Sequence, residues 1–191
     1  MVKLLKVLVG GHDRCGKSSF ILHFVHHSFQ MHNRGIIYNQ IIRIQVDRTP
    51  AAVHFVETSG YIPRVQNDQP LPSAVAVFHL FDTNNATLRE VTEWHAELRR
   101  LNATAPMFLV AAKCDLTPCP EFDAILEWAK QERLPVEMFS AWNGDDLTPL
   151  LLNTLRTVAD DFDPDPSAME NARAAMERQR QLGQKAKCCV V

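Results

Sequence analysis

Gly11-His12-Asp13-Arg14-Cys15-Gly16-Lys17-Ser18-Ser19 follows the apolar run Leu4-Leu5-Lys6-Val7-Leu8-Val9 and leads into Phe20-Ile21-Leu22-His23-Phe24-Val25. That order predicts a strand, a tight loop with glycines at both ends, and a helix. The spacing G-x-x-x-x-G-K-S is that of a phosphate-cradling P-loop. Gly11 and Gly16 permit backbone conformations that a Cβ would block, so successive N–H groups can turn inward toward an anion. The helix that starts near Gly16 adds the positive end of its dipole beneath the same phosphates. Lys17 is placed to reach the β- and γ-phosphates, and the Ser18 hydroxyl to ligate Mg²⁺.

Outward from this loop, strands and helices alternate. Residues 26–35 form a polar stretch with His26, His27 and His32, read as a solvated loop because no local carboxylate or cysteine completes a metal site. Ile41–Val46 alternates as a strand, Asp47-Arg48-Thr49-Pro50 turns the chain, and Ala51–Val56 is the hairpin partner. Pro63, Pro70 and Pro72 argue against a long regular helix in the next stretch. Ala74–Phe81 is nearly all apolar, as a strand covered on both faces requires. Asp82-Thr83-Asn84-Asn85 offers turn chemistry and helix caps. A helical stripe follows through Leu88, Val91, Trp94, His95 and Leu98. Met107–Ala112 is a strand, and residues 120–133 a helix with Pro120 in its first turn. Val136–Phe139 is a short strand, and Asp145-Asp146 open a last helix through Val158. Such alternation predicts an α/β fold with a mostly parallel sheet and an early antiparallel hairpin.

The composition sets bounds. A chain of 191 residues, 46% hydrophobic and 22% charged, suits one globular domain with an appendage. A net charge of −2 argues against nucleic acid as a partner. The first residues enter a strand without a secretory signal pattern, which predicts a cytoplasmic protein. Five cysteines have no disulfide or zinc spacing. After the acidic, proline-broken segment 160–166, residues 167–187 hold five Lys/Arg and two Glu and few core-forming side chains, a composition that predicts a flexible tail.

Three further segments end predicted strands on the rim that carries the P-loop: Glu57-Thr58-Ser59-Gly60, Ala112-Lys113-Cys114-Asp115 and Ser140-Ala141-Trp142-Asn143. With them in place, the chain resembles the Ras superfamily of small GTPases over about residues 2–160, most closely its Rab-like branch. Phe81-Asp82-Thr83-Asn84-Asn85 with Trp94 is similar to the segment after the fourth Rab strand. The resemblance implies a P-loop NTPase fold, a three-layer α/β/α G domain with a mostly parallel six-stranded sheet over residues 1–162. A hypervariable-type tail over residues 163–191 would follow. It implies GTP or GDP with Mg²⁺ as ligands, and effector, exchange and activating proteins as partners. Lys113 and Asp115 match the family's N-K-x-D, in which the Asp accepts from guanine N1 and N2 and the Lys packs along the base. Ser140 and Ala141 match its S-A-K loop, and Phe29 falls where the family sets an aromatic over the base. With Gly60 and Trp142, these residues and the loop 11–19 form the implied nucleotide site. Ser18 and Glu57 form the implied metal site.

The departures from the family pattern carry as much information. Ala112 stands for the Asn of N-K-x-D and Trp142 for the Lys of S-A-K, so the base would be held more weakly or by other means. Glu57 stands for the D-x-x-G aspartate, Tyr61 for the water-orienting glutamine, and Ile36 for the switch threonine over Mg²⁺. A phenol lacks the paired donor and acceptor of an amide. Arg14 invites comparison with an arginine supplied in cis, but reads as a solvated loop residue.

Lys185-Ala186-Lys187-Cys188-Cys189-Val190-Val191 ends the chain. C-a-a-X places a prenylated cysteine at Cys188, with lysines upstream. The Cys188-Cys189 pair is also similar to doubly prenylated Rab tails. Three readings stand: a lipid-anchored, Rab-like GTPase of membrane traffic with weak hydrolysis, peripheral to the cytosolic face of membranes; a nucleotide-locked interaction subunit of a transport complex; and a P-loop kinase or ATPase. Lys113-Cys114-Asp115 and Ser140-Ala141 would have no role in the third.

Overall fold

A computed structural model describes residues 3–26, 39–46, 49–58 and 74–159. In chain order these form β1 (Lys3–Gly10), α1 (Lys17–His26), β2 (Asn39–Val46), β3 (Thr49–Glu57), β4 (Ala76–Asp82), α2 (Leu88–Leu101), β5 (Met107–Ala112), α3 (Phe122–Gln131), β6 (Val136–Phe139) and α4 (Thr148–Ala159). The strands make one sheet in the order β2-β3-β1-β4-β5-β6. β2 pairs antiparallel with β3, and the remaining pairs are parallel. β1 lies between β3 and β4, where the direction of winding reverses. The loop after it therefore opens into the crevice at the carboxyl ends of the strands, where such sheets bind ligands.

Strand alternation sorts the core into two layers. Val7 and Val9 of β1, Val53 and Phe55 of β3 and Phe78 and Leu80 of β4 pack with Phe20, Ile21 and Phe24 of α1 and Leu151 and Leu155 of α4. On the other face, Leu8, Val77, Phe81, Leu109 and Ala111 meet Val91, Trp94 and Leu98 of α2 and Ile125 and Ala129 of α3. β4 is buried along both faces, as its nearly unbroken apolar run requires. The expected six-stranded α/β/α architecture is the one observed.

Several boundaries differ from the expectation. Thr49 and Pro50 belong to β3, paired with Val46 and Gln45, rather than to the turn before it. Helix α2 is capped by Thr87 rather than by residues 82–85. Its side chain accepts from Glu90 N while Glu90 accepts from Thr87 N, a complete capping box. Glu121 accepts from Leu88 N at 2.9 Å and so closes the same helix end from 33 residues away. α3 begins at Phe122, and Pro120 precedes the helix instead of sitting in its first turn. α4 begins at Thr148, because Asp145 and Asp146 are bonded to Ser140 N and Thr148 N in the turn before it.

His79 of β4 is 1% exposed, and its Nδ1 has no hydrogen-bond partner among the described residues. Burial pushes its pKa down to about 3, with repulsion from the neighbouring His95 as a smaller cause. The unfolded imidazole, at its ordinary 6.5, takes up a proton that the folded one refuses. Its contribution to stability is therefore complete above pH 6.5 and is lost as the pH falls toward 3. From His79 alone, stability against denaturant should fall by roughly 2–3 kcal/mol between about pH 6.5 and 4.5. His79→Leu should flatten that slope without abolishing it, since His54, pushed down to about 4 by burial and Lys6, acts in the same direction. An unchanged slope in the variant would exclude His79 as a source.

Candidate functional site

The loop between β1 and α1 is fixed against the sheet by a backbone contact. Gly11 has φ +142°, and a Cβ there would lie 2.1 Å from the Leu80 carbonyl oxygen of β4. Gly16 has φ +109° and precedes the first residue of α1. Arg14 also takes a positive φ, 60°, a conformation that costs a non-glycine residue about 1–2 kcal/mol. Its side chain is 92% exposed and pairs with Asp13 at 3.6 Å, as a solvated loop residue would. Cys15 is buried, and burial pushes its thiol up to about 11, so it is inert and offers the site only backbone.

Lys17 is 4% exposed, and its Nζ donates to the Gly11 carbonyl at 3.0 Å and the His12 carbonyl at 2.7 Å. An ammonium has three donors, so these bonds brace the loop and leave one for a phosphate oxygen. Ser18 Oγ donates to Glu57 Oε1 at 2.8 Å. The extra methylene of Glu57 thus still brings its carboxylate to the first turn of α1. A hydroxyl whose proton is taken by a carboxylate keeps its lone pairs for a hard cation, so this oxygen pair suits Mg²⁺. Among the described residues no group of three or more His, Cys, Asp or Glu could hold a metal alone. Mg²⁺ would accordingly be held jointly with nucleotide phosphates.

At the ends of β5 and β6 lies a cleft of about 250 Å³, lined by Gly16, Ser19, Ala112, Lys113, Asp115, Leu116, Phe139, Ala141 and Trp142. It is smaller than the ~300–1,000 Å³ typical of a whole-ligand pocket and has the scale of one base. Lys113, with φ +60°, donates from Nζ to the Arg14 carbonyl at 2.9 Å and to Asp82 Oδ2 at 2.7 Å. It thereby ties the base cleft to the phosphate loop. Ser140, fully buried, donates from Oγ to Asp115 Oδ1 at 2.6 Å and accepts from Asn143 N at 3.0 Å. A carboxylate held through one oxygen retains acceptor capacity for guanine's adjacent N–H groups. Asp145 accepts from Ser140 N at 2.7 Å and from the Cys114 thiol at 3.7 Å. Burial foremost, then the Asp145 charge, raises the Cys114 pKa.

The structure thus brings together Gly11, His12, Asp13, Arg14, Cys15, Gly16, Lys17, Ser18, Ser19 and Glu57 on one side, and Lys113, Asp115, Ser140, Ala141 and Trp142 on the other. Phe29, Ile36, Gly60, Tyr61, Cys188 and Cys189 lie outside the described residues. Asp82 and Asp145 are the positioning residues that sequence reasoning missed. Both have the local pattern of turn or helix-start residues, and nothing local signals a partner 31 residues away for Asp82.

Residues 6–160 match the family model described as the Ras family. Comparison with curated proteins gives no match.

Thr83 Oγ1 is fully buried without a partner among the described residues, while Thr83 N donates to the Ala112 carbonyl at 2.9 Å. Ala112 also borders the cleft beside Gly16. An amide at position 112 would therefore stand in the cleft wall next to the phosphate loop. Ala112→Asn should tighten guanine-nucleotide binding about tenfold, the scale of one satisfied buried hydrogen bond. Equal or weaker affinity by calorimetry would show that the site does not lack that amide.

Proposed function

We propose, from the premise that this chain belongs to the Ras family, that it is a Rab-like small GTP-binding protein of membrane traffic with very slow GTP hydrolysis. The observation that carries the reading is the double anchorage of Lys17 and Lys113. One braces the phosphate loop from within, and the other locks that loop to the base cleft. The backbone of residues 11–17 would hold the phosphates, Lys17 would neutralise their charge, and Ser18 with Glu57 would hold Mg²⁺. Bound Mg²⁺ would supply charge neutralisation between the β- and γ-phosphates. Asp115, oriented by Ser140, would select guanine over adenine, which lacks the paired N1 and N2 donors.

Slow hydrolysis follows from residue chemistry. Ras itself turns over at only about 10⁻⁴ s⁻¹ without an added arginine. This chain has Tyr61 where the family has its water-orienting glutamine and Ile36 where it has the switch threonine. Neither side chain supplies the missing groups. Those residues and Glu57 also support a second reading, a nucleotide-locked interaction subunit of a transport complex. The terminal Cys188-Cys189-Val190-Val191 favours the first, with a lipid anchor on the cytosolic face of membranes and the usual regulators of such switches as partners. Each buried CH₂ of an isoprenoid adds ~0.8 kcal/mol, so one or two chains with upstream lysines make reversible to stable anchors.

Purified protein should bind Mg²⁺–GTP and Mg²⁺–GDP but not Mg²⁺–ATP in calorimetry, and Lys17→Ala should lose at least a hundredfold in affinity. Single-turnover hydrolysis should be no faster than the Ras value. Equal binding by Lys17→Ala would remove the reading, and turnover well above Ras would remove its kinetic part. A Cys188→Ser/Cys189→Ser variant should move from the membrane to the soluble fraction of cells; unchanged fractionation would exclude a cysteine-borne anchor.

A further inference from the structure

Glu90 stands in the first turn of α2 and divides its two carboxylate oxygens between different neighbours. Oε2 accepts from Thr87 N at 3.1 Å and from Thr87 Oγ1 at 3.0 Å, which closes the helix end. Oε1 lies 3.5 Å from Nε2 of His12 in the phosphate loop. Both residues line a cavity of about 420 Å³ between loop residues 12–15 and α2, and their contact joins its two walls. A capping box accounts for one oxygen of the glutamate. It does not account for the one turned toward the loop.

The His12 ring makes that second contact depend on charge. Its Nδ1 faces the Asp13 carbonyl at 3.2 Å and its Nε2 faces the Glu90 carboxylate, and both of these groups only accept hydrogen bonds. A neutral imidazole has one N–H and can satisfy one of them; an imidazolium has two and satisfies both. The other charged groups around the ring have partners of their own. Asp13 pairs with Arg14 at 3.6 Å, Asp82 at the end of β4 holds Lys113, and Lys17 donates to the carbonyls of Gly11 and His12. Glu90 is thus the carboxylate that meets the ring. His12 is also the residue on whose carbonyl Lys17 makes its shorter bond, 2.7 Å against 3.0 Å. Fixing the ring fixes the peptide that seats the phosphate-facing ammonium.

We propose that Glu90 is a positioning residue for bound nucleotide, acting through the His12 imidazolium to hold the His12 carbonyl against Lys17. The proposal rests on the nucleotide reading above and adds a pH dependence to it. Histidine is the side chain that gains and loses charge across the physiological range. As the pH falls, the ring takes up its second proton, α2 grips the loop and nucleotide leaves more slowly. As the pH rises, the grip is lost. The His12 side chain is 54% exposed and that of Glu90 37%, and exposed pairs of opposite charge are worth about 1.5- to 5-fold in an equilibrium. The pair therefore trims nucleotide retention rather than switching it.

The test uses the full chain loaded with Mg²⁺ and a fluorescent GDP, whose release is followed at about pH 6 and about pH 8.5, either side of the histidine range. Glu90→Gln keeps an acceptor for Thr87 N, since glutamine also completes a capping box, but removes the charge. It should speed release about 2- to 5-fold at the lower pH and by less than about 1.5-fold at the higher. In a His12→Gln background the same substitution should change release by less than about 1.5-fold at either pH. Thr87→Ala, which opens the cap but leaves Oε1 facing His12, should show no pH-dependent acceleration. A Glu90→Gln effect that is equal at both pH values, persists without His12 or is reproduced by Thr87→Ala would overturn the positioning role. So would no effect at the lower pH; the nucleotide reading would stand in each case. Failure of the wild-type protein to take up the nucleotide would overturn both.

Discussion

The contact between Gly11 and the Leu80 carbonyl is the constraint from which the site follows. With no room for a Cβ, the backbone leaving β1 is pressed onto β4, and the loop must turn back over the strand ends. That turn lines up the carbonyls of Gly11 and His12, and Lys17 then spans them from the first turn of α1. A lysine ammonium is almost never buried unless it is paired. The loop carbonyls make its burial tolerable and aim it at the position of an incoming anion. Fold and anion site are therefore one arrangement: the close approach that packs strand against loop also creates the bracing for the cation.

The phosphate half of the site was legible because it is local. Nine consecutive residues, 11–19, carry the glycines, the lysine and the serine, and their order between strand and helix is itself the signal. The sheet was legible for a related reason, since unbroken apolar runs such as 74–81 distinguish strands covered on both sides. What failed was long-range or hinged on a side chain's choice among partners. Asp82 reads as a turn residue and does accept from Asn84 N, but its other oxygen holds Lys113 across the sheet. Asp145 reads as a helix start and instead holds Ser140. Thr87 with Glu90 is a capping box in the sequence too, masked by the more conspicuous turn residues 82–85 just before it.

The base half shows a different balance. In the family pattern, an asparagine and a lysine surround the base with polar groups; here Ala112 and Trp142 stand in those places. Thr83, whose backbone N donates to the Ala112 carbonyl, keeps a buried hydroxyl lacking a partner among the described residues. The Lys113 ties to Arg14 and Asp82 carry the mechanical connection between the two halves. Ser140, pinned by Asp145, keeps Asp115 in place. Loss of one polar group has not dissolved the site; its remaining polar members are each held by at least one charged or buried partner.

On the proposed reading, holding a nucleotide and switching on its hydrolysis are separable in this chain. The described residues of the candidate site lie on or beside β1, β3, β5, β6 or α1, with β4 bracing them through Leu80 and Asp82, elements whose cores are continuous with the sheet. The residues on which hydrolysis would turn, Ile36 and Tyr61, belong to segments outside the described residues and have the wrong chemistry for the task. Glu57 stands between the two roles: it ends β3 and reaches Ser18, so it serves the cation whether or not water is ever activated. A site so divided retains its ligand through rigid strands and phosphate contacts. On the proposed reading, a change of state would come from what docks on the molecule, since Ile36 and Tyr61 supply neither the switch hydroxyl nor the water-orienting amide.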